Sequence, residues 1–266
     1  LEGAVATWTE NVSSAFVPNA RFGAYTLLTS SLNVNYRKNK FHLTAYYAND
    51  YGVNWNENRY ATRISRSDGV YNTMSYYQED SYSRNMHTYR LGAAYDLSDR
   101  SSISAQYDGL FNSFYLNVHQ NGDYYTPQQE LSLIRMQNDA TTRLLNHSVN
   151  VNYLLKLDSL GKSNLFVGAQ FNAFENNLFD NITETITPFG EEAYTSKRIN
   201  DGHNLIQLAT VQVDLTKQLE RIVVESGFKL AQTTNSGEIK FYSKSETGSY
   251  YVENHALSNG NLYREV

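Results

Sequence analysis

The sequence predicts an all-β fold, an antiparallel up-and-down transmembrane β-barrel with short periplasmic turns and long extracellular loops. Three observations favour it. Apolar and polar residues alternate over long segments. Short turns and long polar stretches follow one another regularly along the chain, and aromatic residues gather near the ends of the segments. We interpret residues 1–266 as a single β-barrel segment of about nine or ten strands.

Composition favours strands and excludes several classes of protein. The chain contains 22 Tyr and 12 Phe but only 3 Pro, which favours strands and polar loops over helices. A net charge of −5 without a basic stripe argues against nucleic acid as a partner. With no cysteine, the chain has neither disulfides nor thiolate metal sites. No apolar run approaches the roughly 20 residues of a membrane helix, but about 10 alternating residues suffice for a membrane strand.

The first clear hairpin runs from Phe22 to Trp55 around the turn Arg37-Lys38-Asn39-Lys40. Before the turn, apolar residues fall on even positions: Phe22, Ala24, Leu28, Leu32, Val34 and Tyr36. After it they fall on odd positions: Phe41, Leu43, Ala45, Tyr47, Tyr51, Val53 and Trp55. This period of two gives each strand one wet face and one apolar face. An earlier strand is predicted to end near Pro18-Asn19.

The same hairpin unit repeats along the chain. Alternating segments cover 89–97, 103–111, 149–157, 165–173, 205–215 and 222–230. Short turns are predicted at Ser98-Asp99-Arg100, at 158–162 and at 217–220. Between the hairpins, polar stretches of about 20 to 30 residues predict loops. They cover 56–84, 119–141, 175–200 and the residues from 235 onward.

Alternation alone leaves a soluble sandwich open, because a sandwich hides its apolar face and a barrel turns that face to lipid. Strands of about 14 to 17 residues, with aromatic ends and polar side chains at mid-strand, favour the barrel. Long loops on one side only are typical of outer-membrane barrels, with the short turns in the periplasm. We expect the following polar residues to face the lumen: Asn33, Asn35, Arg90, Gln106, Asp108, Asn150, Asn152 and Gln212.

Four segments resemble the outer-membrane β-barrel family of TonB-dependent receptors. Residues 31–41 (SLNVNYRKNKF) are similar to the family's LNYRKGKF hairpin, and residues 90–96 (RLGAAYD) to its LGLDY strand. Residues 149–153 and 211–216 resemble two later strands in order. The resemblance covers nearly the whole chain and implies the middle part of the barrel only. The sequence shows no counterpart of the family's plug, TonB-contacting segment or further strands.

The resemblance implies a receptor of the cell outer membrane that takes up a nutrient through a polar lumen. The nutrient would be a glycan, a vitamin or a metal chelate. The implied partners are the lipid bilayer, a small solute or oligosaccharide, and the TonB system through parts of the parent chain. No cofactor is implied, because TonB supplies the energy. An open half-barrel also predicts self-association through its strand edges.

The candidate ligand-binding residues are aromatic. They are Tyr76, Tyr77, Tyr82, Tyr124, Tyr125 and Tyr194, which we expect in extracellular loops. A tyrosine ring with its hydroxyl suits stacking on sugars or flat ligands.

We expect neither catalysis nor a metal site. The six histidines lack metal-ligand spacing. A protease would need Asp80 with His87, or His119 with Asp123, at the outer rim. Acidic pairs such as Glu191-Glu192 are candidate Ca²⁺ ligands, although solvated loop carboxylates are the simpler interpretation. A small autonomous barrel acting as porin or adhesin, and a soluble secreted carbohydrate-binding β protein, remain alternatives.

Overall fold

The computed structural model describes residues 4–8, 12–21, 25–65, 71–125, 131–244 and 251–265. These residues form twelve strands of one antiparallel sheet. The strands are β1 Ala4–Trp8, β2 Val12–Arg21, β3 Tyr25–Lys38, β4 Phe41–Ser65, β5 Tyr71–Asp96, β6 Ser101–Tyr125, β7 Leu131–Lys156, β8 Asn164–Thr187, β9 Tyr194–Leu219, β10 Ile222–Lys244, β11 Tyr251–Glu253 and β12 Asn259–Glu265.

The strands follow one another in chain order from β1 to β11, and β12 pairs with β10 beside β11. Among the described strands no pairing joins β1 to β11 or β12, so the sheet is open. The predicted all-β, antiparallel up-and-down class is confirmed, and an open sheet fits a barrel fragment. No helix long and apolar enough to span a membrane occurs in the part of the chain that the structure describes.

The strands are longer than the sequence pattern predicts. β4 to β10 have 23 to 26 residues each. The structure therefore corrects the extent of the loops: residues 56–65, 71–84, 119–125, 131–141, 175–187, 194–200 and 235–244 continue the hairpins as paired strands. Strand pairing continues through these polar residues, so polarity does not end a strand here. The Thr, Ile and Tyr residues in these stretches have high strand propensity.

The predicted end of the first strand also changes. Pro18 lies inside β2, opposite Ser30 of β3, rather than ending the strand. β1 pairs with β2 only from Val12 to Phe16, so Pro18 lies where that edge of β2 has no partner among the described strands. A residue without a backbone N–H is tolerated at such an edge.

Two-residue turns with left-handed residues close the hairpins β3–β4 and β9–β10. Asn39-Lys40 joins the pair Lys38 and Phe41, with Asn39 at φ 51°. The turn predicted at 217–220 lies instead at Glu220-Arg221, with Glu220 at φ 35°. Positive φ in two-residue loops matches the right-handed twist of the flanking strands.

The pairing register arranges side chains in rows across the sheet, and the members of a row share one face. One row consists of Phe41, Tyr95, Ile103, Tyr153, Val167, Val213 and Phe228. A parallel row consists of Ala45, Leu91, Tyr107, Val149, Phe171 and Ala209. These side chains are widely exposed, with Leu91 at 54% and Phe228 at 66%. No second sheet covers them in the described ranges.

The exposed apolar residues form a continuous band. We define the apolar band as the rows from Leu155, Leu165 and Leu215 up to Tyr47, Tyr89 and His147. It spans nine residues of β7, from His147 to Leu155, which is about 26 Å along the strand. For strands tilted by about 40°, this length corresponds to a height of about 20 Å, somewhat less than the apolar band of about 25 Å on outer-membrane barrels. The longer strand ends above the band are called the outer extension below.

The opposite face holds the cavities described below, so we call it the concave face and the face of the apolar band the convex face. Val118 and Ala140 lie on it at 8% and 7% exposure, and they are the only buried hydrophobic residues in the described part of the chain. Within the apolar band this face carries amides and charges. In the outer extension the polarity reverses: Leu116, Val118, Leu178 and Phe241 are concave, whereas Arg143, Asn177 and His203 are convex.

Polar pairs order the convex face of the outer extension. Asp139 of β7 accepts hydrogen bonds from Tyr115 Oη at 3.0 Å, from Gln137 Nε2 at 3.0 Å and from Asn117 Nδ2. Burial raises the pKa of Asp139, but these hydrogen bonds outweigh burial and hold the pKa below its usual value. The carboxylate therefore stays charged at neutral pH and joins two neighbouring strands.

The turn between β7 and β8 is fixed by one carboxylate. Asp158 accepts hydrogen bonds from the backbone N–H groups of Leu160 (3.1 Å), Lys162 (3.0 Å) and Ser163 (2.7 Å). The buried Ser163 hydroxyl in turn accepts from the N–H of Gln218, at 3.1 Å, in the neighbouring hairpin. Hydrogen bonding from Ser163 lowers the pKa of Asp158.

We expect the order of this turn to depend on pH. Because the pKa of folded Asp158 lies below the ordinary 3.8, its contribution is complete above about pH 4 and lost as pH falls through the lowered pKa. Hydrogen-exchange protection of the Lys162 and Ser163 amides, measured in micelles, should fall in that window. In Asp158→Asn it should be lower and independent of pH. An unchanged acid-induced loss in the variant would contradict the assignment.

Candidate functional site

A large cavity opens on the concave face at the level of the apolar band. It has a volume of about 820 Å³ and lies against β3 to β7. Its lining includes Asn33, Asn35, Tyr46, Arg90, Asp108 and Asn146. We call it the lumen site. It exists because alternation places the polar partner of each band residue on the inner side of the sheet.

An ion pair crosses the lumen site between β5 and β6. Arg90 Nε donates to Asp108 Oδ1 at 2.6 Å, and Gln106 Nε2 donates to Asp108 Oδ2 at 2.6 Å. The two charged residues lie directly opposite each other in the register. Their side chains are 58% and 30% exposed, so solvent screens the pair and it adds at most about 1 kcal/mol of stability. The pair presents both a cation and a carboxylate to the cavity.

All eight residues predicted to face a lumen lie on the concave face. Asn33, Asn35, Arg90 and Asp108 line the lumen site. Gln106, Asn150 and Asn152 line a neighbouring cavity of about 290 Å³ beside Gly92. Gln212 shares a row with Asn152, and its Nε2 donates to Asp214 at 2.5 Å. That these residues line a transport path stays a prediction.

The six candidate tyrosines lie on strands of the outer extension, not in irregular loops. The register places Tyr76, Tyr82, Tyr124 and Tyr194 on the concave face. It places Tyr77 and Tyr125 on the convex face, where Tyr77 Oη donates to Glu79 Oε1 at 2.7 Å. The structure thus brings four of the six to one face. Tyr82 packs against Phe114 with ring centroids 5.4 Å apart. Ligand binding by these residues stays a prediction.

The candidate protease pairs gain no support from the geometry. Asp80 and His87 are seven residues apart on β5, so their side chains lie on opposite faces of the sheet. His119 and Asp123 share the convex face but stand four residues apart along β6, about 13 Å. No group of three or more His, Asp or Glu side chains able to hold a metal ion occurs among the described residues.

One polar feature of the concave face escapes the sequence analysis. Asn176, Asn204, Gly237 and Asn261 form a row across β8, β9, β10 and β12. They line a cavity of about 420 Å³ in the outer extension. Most of this region is polar and predicts loops, so the sequence pattern does not bring these amides together. The continued alternation of Phe174, Asn176, Leu178 and Asp180 was the available signal.

Comparisons with known proteins give no family assignment. No family model matches the chain, and no curated protein matches it. Among solved structures, the siderophore receptor PiuA from Acinetobacter baumannii has 11% identity and a TM-score of 0.25 over 91% of this chain and 48% of that one. The ferric preacinetobactin receptor BauA from the same organism has 8% identity and a TM-score of 0.17, covering 96% and 60%. BamA from Haemophilus ducreyi, lacking POTRA domains 1–3, has 8% identity and a TM-score of 0.13, covering 99% and 74%.

This chain therefore spans about half the length of PiuA. Likeness at such low TM-scores supports neither a fold nor a function for this chain.

We expect the Arg90–Asp108 pair to contribute little to stability. A double-mutant cycle with Arg90→Gln and Asp108→Asn should give a coupling free energy of about 0.5 kcal/mol, because both side chains reach solvent. Urea unfolding in micelles measures it. A coupling of about 3 kcal/mol or more would assign the pair to holding β5 and β6 together instead.

Proposed function

We propose that this chain is a segment of an outer-membrane β-barrel receptor that takes up a solute through a polar lumen. The observation that carries the proposal is the apolar band exposed on the convex face, opposite amides and charges on the concave face. Residues 1–266 would then form a single barrel segment.

A water-soluble protein does not leave such a surface uncovered. Contiguous apolar patches beyond a few hundred Å² mark an interface with another molecule or with lipid. Here Leu, Val, Ile and Phe side chains fill successive rows across seven strands, without a second protein layer in the described ranges. Lipid hydrocarbon is the partner that covers the corresponding outward-facing apolar band of outer-membrane barrels.

The aromatic residues at the upper edge of the band support a membrane interface. Tyr47 and Tyr89 lie there with ring centroids 5.3 Å apart. The Tyr47 hydroxyl is hydrogen-bonded to His87 Nδ1 at 2.9 Å, and the Tyr107 hydroxyl to His147 Nδ1 at 2.7 Å. Rings with polar tips suit the boundary between hydrocarbon and headgroups.

The lower half of β10 supports a larger barrel. Residues 222–232 pair with β9 on one side, whereas β12 pairs only with Thr233 to Ile239 on the other. Backbone groups left unpaired in hydrocarbon are costly, so this edge needs a strand. In the intact receptor we assign that role to another strand of the same barrel. For the isolated chain we assign it to a second copy.

The receptor mechanism follows from the resemblance to TonB-dependent receptors. The outer extension would meet the solute first, and the lumen site would pass it inward. The TonB system would supply the energy through parts of the parent protein, so the chain itself would act as a binding and conducting wall rather than an enzyme. The short turns would then face the periplasm.

An arginine scan tests the membrane assignment. Val151→Arg places a charge on the convex face in the middle of the band and should cost about 2–4 kcal/mol on folding into lipid vesicles. Asn150→Arg, at the same depth on the concave face, and Thr141→Arg, on the convex face of the outer extension, should each cost less than about 1 kcal/mol. Urea titration in vesicles measures the three. Equal costs would contradict a lipid-facing band.

Single cysteines test the orientation. This segment contains no cysteine, so each substitution adds its first thiol, and the unsubstituted protein is the labelling control. Phe189→Cys lies in the turn after β8, and Leu160→Cys lies in the exposed turn at the other end of the sheet. On intact cells expressing the native gene, a membrane-impermeant maleimide should label Phe189→Cys only. Leu160→Cys should react after the outer membrane is permeabilised.

The reverse pattern would invert the orientation, and recovery in the soluble fraction would reject the membrane assignment.

A further inference from the structure

We infer that the solute is a neutral, polyhydroxylated molecule such as an oligosaccharide, held by an amide-lined groove in the outer extension. The amide groove is defined by Asn176, Asn204, Asn235 and Asn261 together with Gly202 and Gly237. The inference rests on the proposed uptake function and names the class of solute. It assigns binding to residues that lie apart from the lumen site.

Amide oxygens converge over a glycine in this groove. A Cβ at Gly237 would lie 3.1 Å from Asn261 Oδ1 and 3.5 Å from Asn204 Oδ1. The missing side chain therefore leaves room for a solute atom between two acceptors, one on each of the strands that flank β10. The groove volume of about 420 Å³ is within the range of small-molecule sites, about 300–1,000 Å³.

Two further acceptors lack donors. Asn176 Oδ1 and Asn235 Oδ1 are buried, and neither accepts a hydrogen bond from any described residue. A buried polar atom without a partner is destabilising, and native structures contain few of them. Hydroxyl groups of a solute would donate to these oxygens. An amide also offers N–H donors, so an asparagine can match the mixed donor and acceptor character of a hydroxyl group.

The next row of the groove is apolar. Leu178, Gly202 and Ile239 lie side by side, and a Cβ at Gly202 would be 3.5 Å from Leu178 Cβ and 3.9 Å from Ile239 Cγ1. Gly202 thus allows close approach to a flat apolar surface. A sugar ring has one C–H face and a rim of hydroxyls. An apolar floor beside a row of amides is complementary to that shape.

Charge argues against ionic solutes at this place. Two titratable residues, His203 and Glu238, border the cavity, and the register places both on the convex face. Among the described residues, the three concave rows containing Asn235, Gly237 and Ile239 carry no acidic or basic side chain from β7 to β12. The adjoining rows contain Asp180, which accepts from Asn200 at 3.4 Å, and Glu265, which accepts from Tyr263 at 2.9 Å. An anionic chelate or a phosphate would need arginine or lysine partners, which these rows lack.

Calorimetry on the detergent-purified protein from its native gene tests the inference. The probes are neutral gluco-, manno-, galacto- and xylo-oligosaccharides, with a ferric hydroxamate chelate and cobalamin as the other solute classes. We expect saturable binding of at least one oligosaccharide. Asn204→Leu and Asn261→Leu should each weaken it roughly tenfold, the ratio expected for one lost hydrogen bond. Asn172→Leu, on the same face of β8 but outside the groove, should change it less than about twofold.

The outcomes separate this inference from the proposed function. Binding of the ferric chelate or cobalamin alone, unaffected by the groove variants, overturns the neutral solute and leaves the receptor standing. Absence of saturable binding by every oligosaccharide also overturns it. Failure of the arginine scan and of the cysteine labelling rejects the outer-membrane receptor, whatever the calorimetry shows.

Discussion

A single sheet has two faces and, in the described residues, no second layer of protein to cover either. That constraint governs the rest of the structure. With few buried hydrophobic side chains, the chain does not obtain its stability from an ordinary core. Strand ladders hold the sheet together, and the apolar band requires an apolar surrounding. Alternation along each strand, together with register across the strands, turns scattered Leu, Val and Phe residues into one continuous surface.

The architecture was predictable because apolar and polar residues alternate regularly in the part of every long hairpin that forms the apolar band. Residues 149–157 and 165–173 alternate cleanly, and Asp158 with Gly161 marks the turn between them. The outer halves were not predictable in the same way. There polar residues such as Arg143 and Asn177 occupy convex positions that carry apolar residues within the band. Polarity alone therefore predicts a loop at residues 175–187, although these residues form a paired strand.

The candidate site was predictable in part. Alternation with apolar neighbours placed Asn33, Arg90 and Asp108 correctly on the polar face of their own strands. It did not show that Arg90 and Asp108 stand directly opposite, because register depends on turn length. The amides of Asn176, Asn204 and Asn261 lie as many as 85 residues apart in sequence, and only strand pairing brings them together. Local patterns carry no information about such a row.

The paired outer extension has a consequence for solute capture. The part of β7 from Leu131 to His147 extends about 50 Å beyond the band, measured along the strand. In the proposed receptor, a wall of paired strands presents its contacts already arranged, whereas flexible loops lose conformational freedom when they close around a solute. Less of the interaction free energy is then spent on ordering the protein. Discrimination between solutes would occur at the mouth, by fit to a fixed wall.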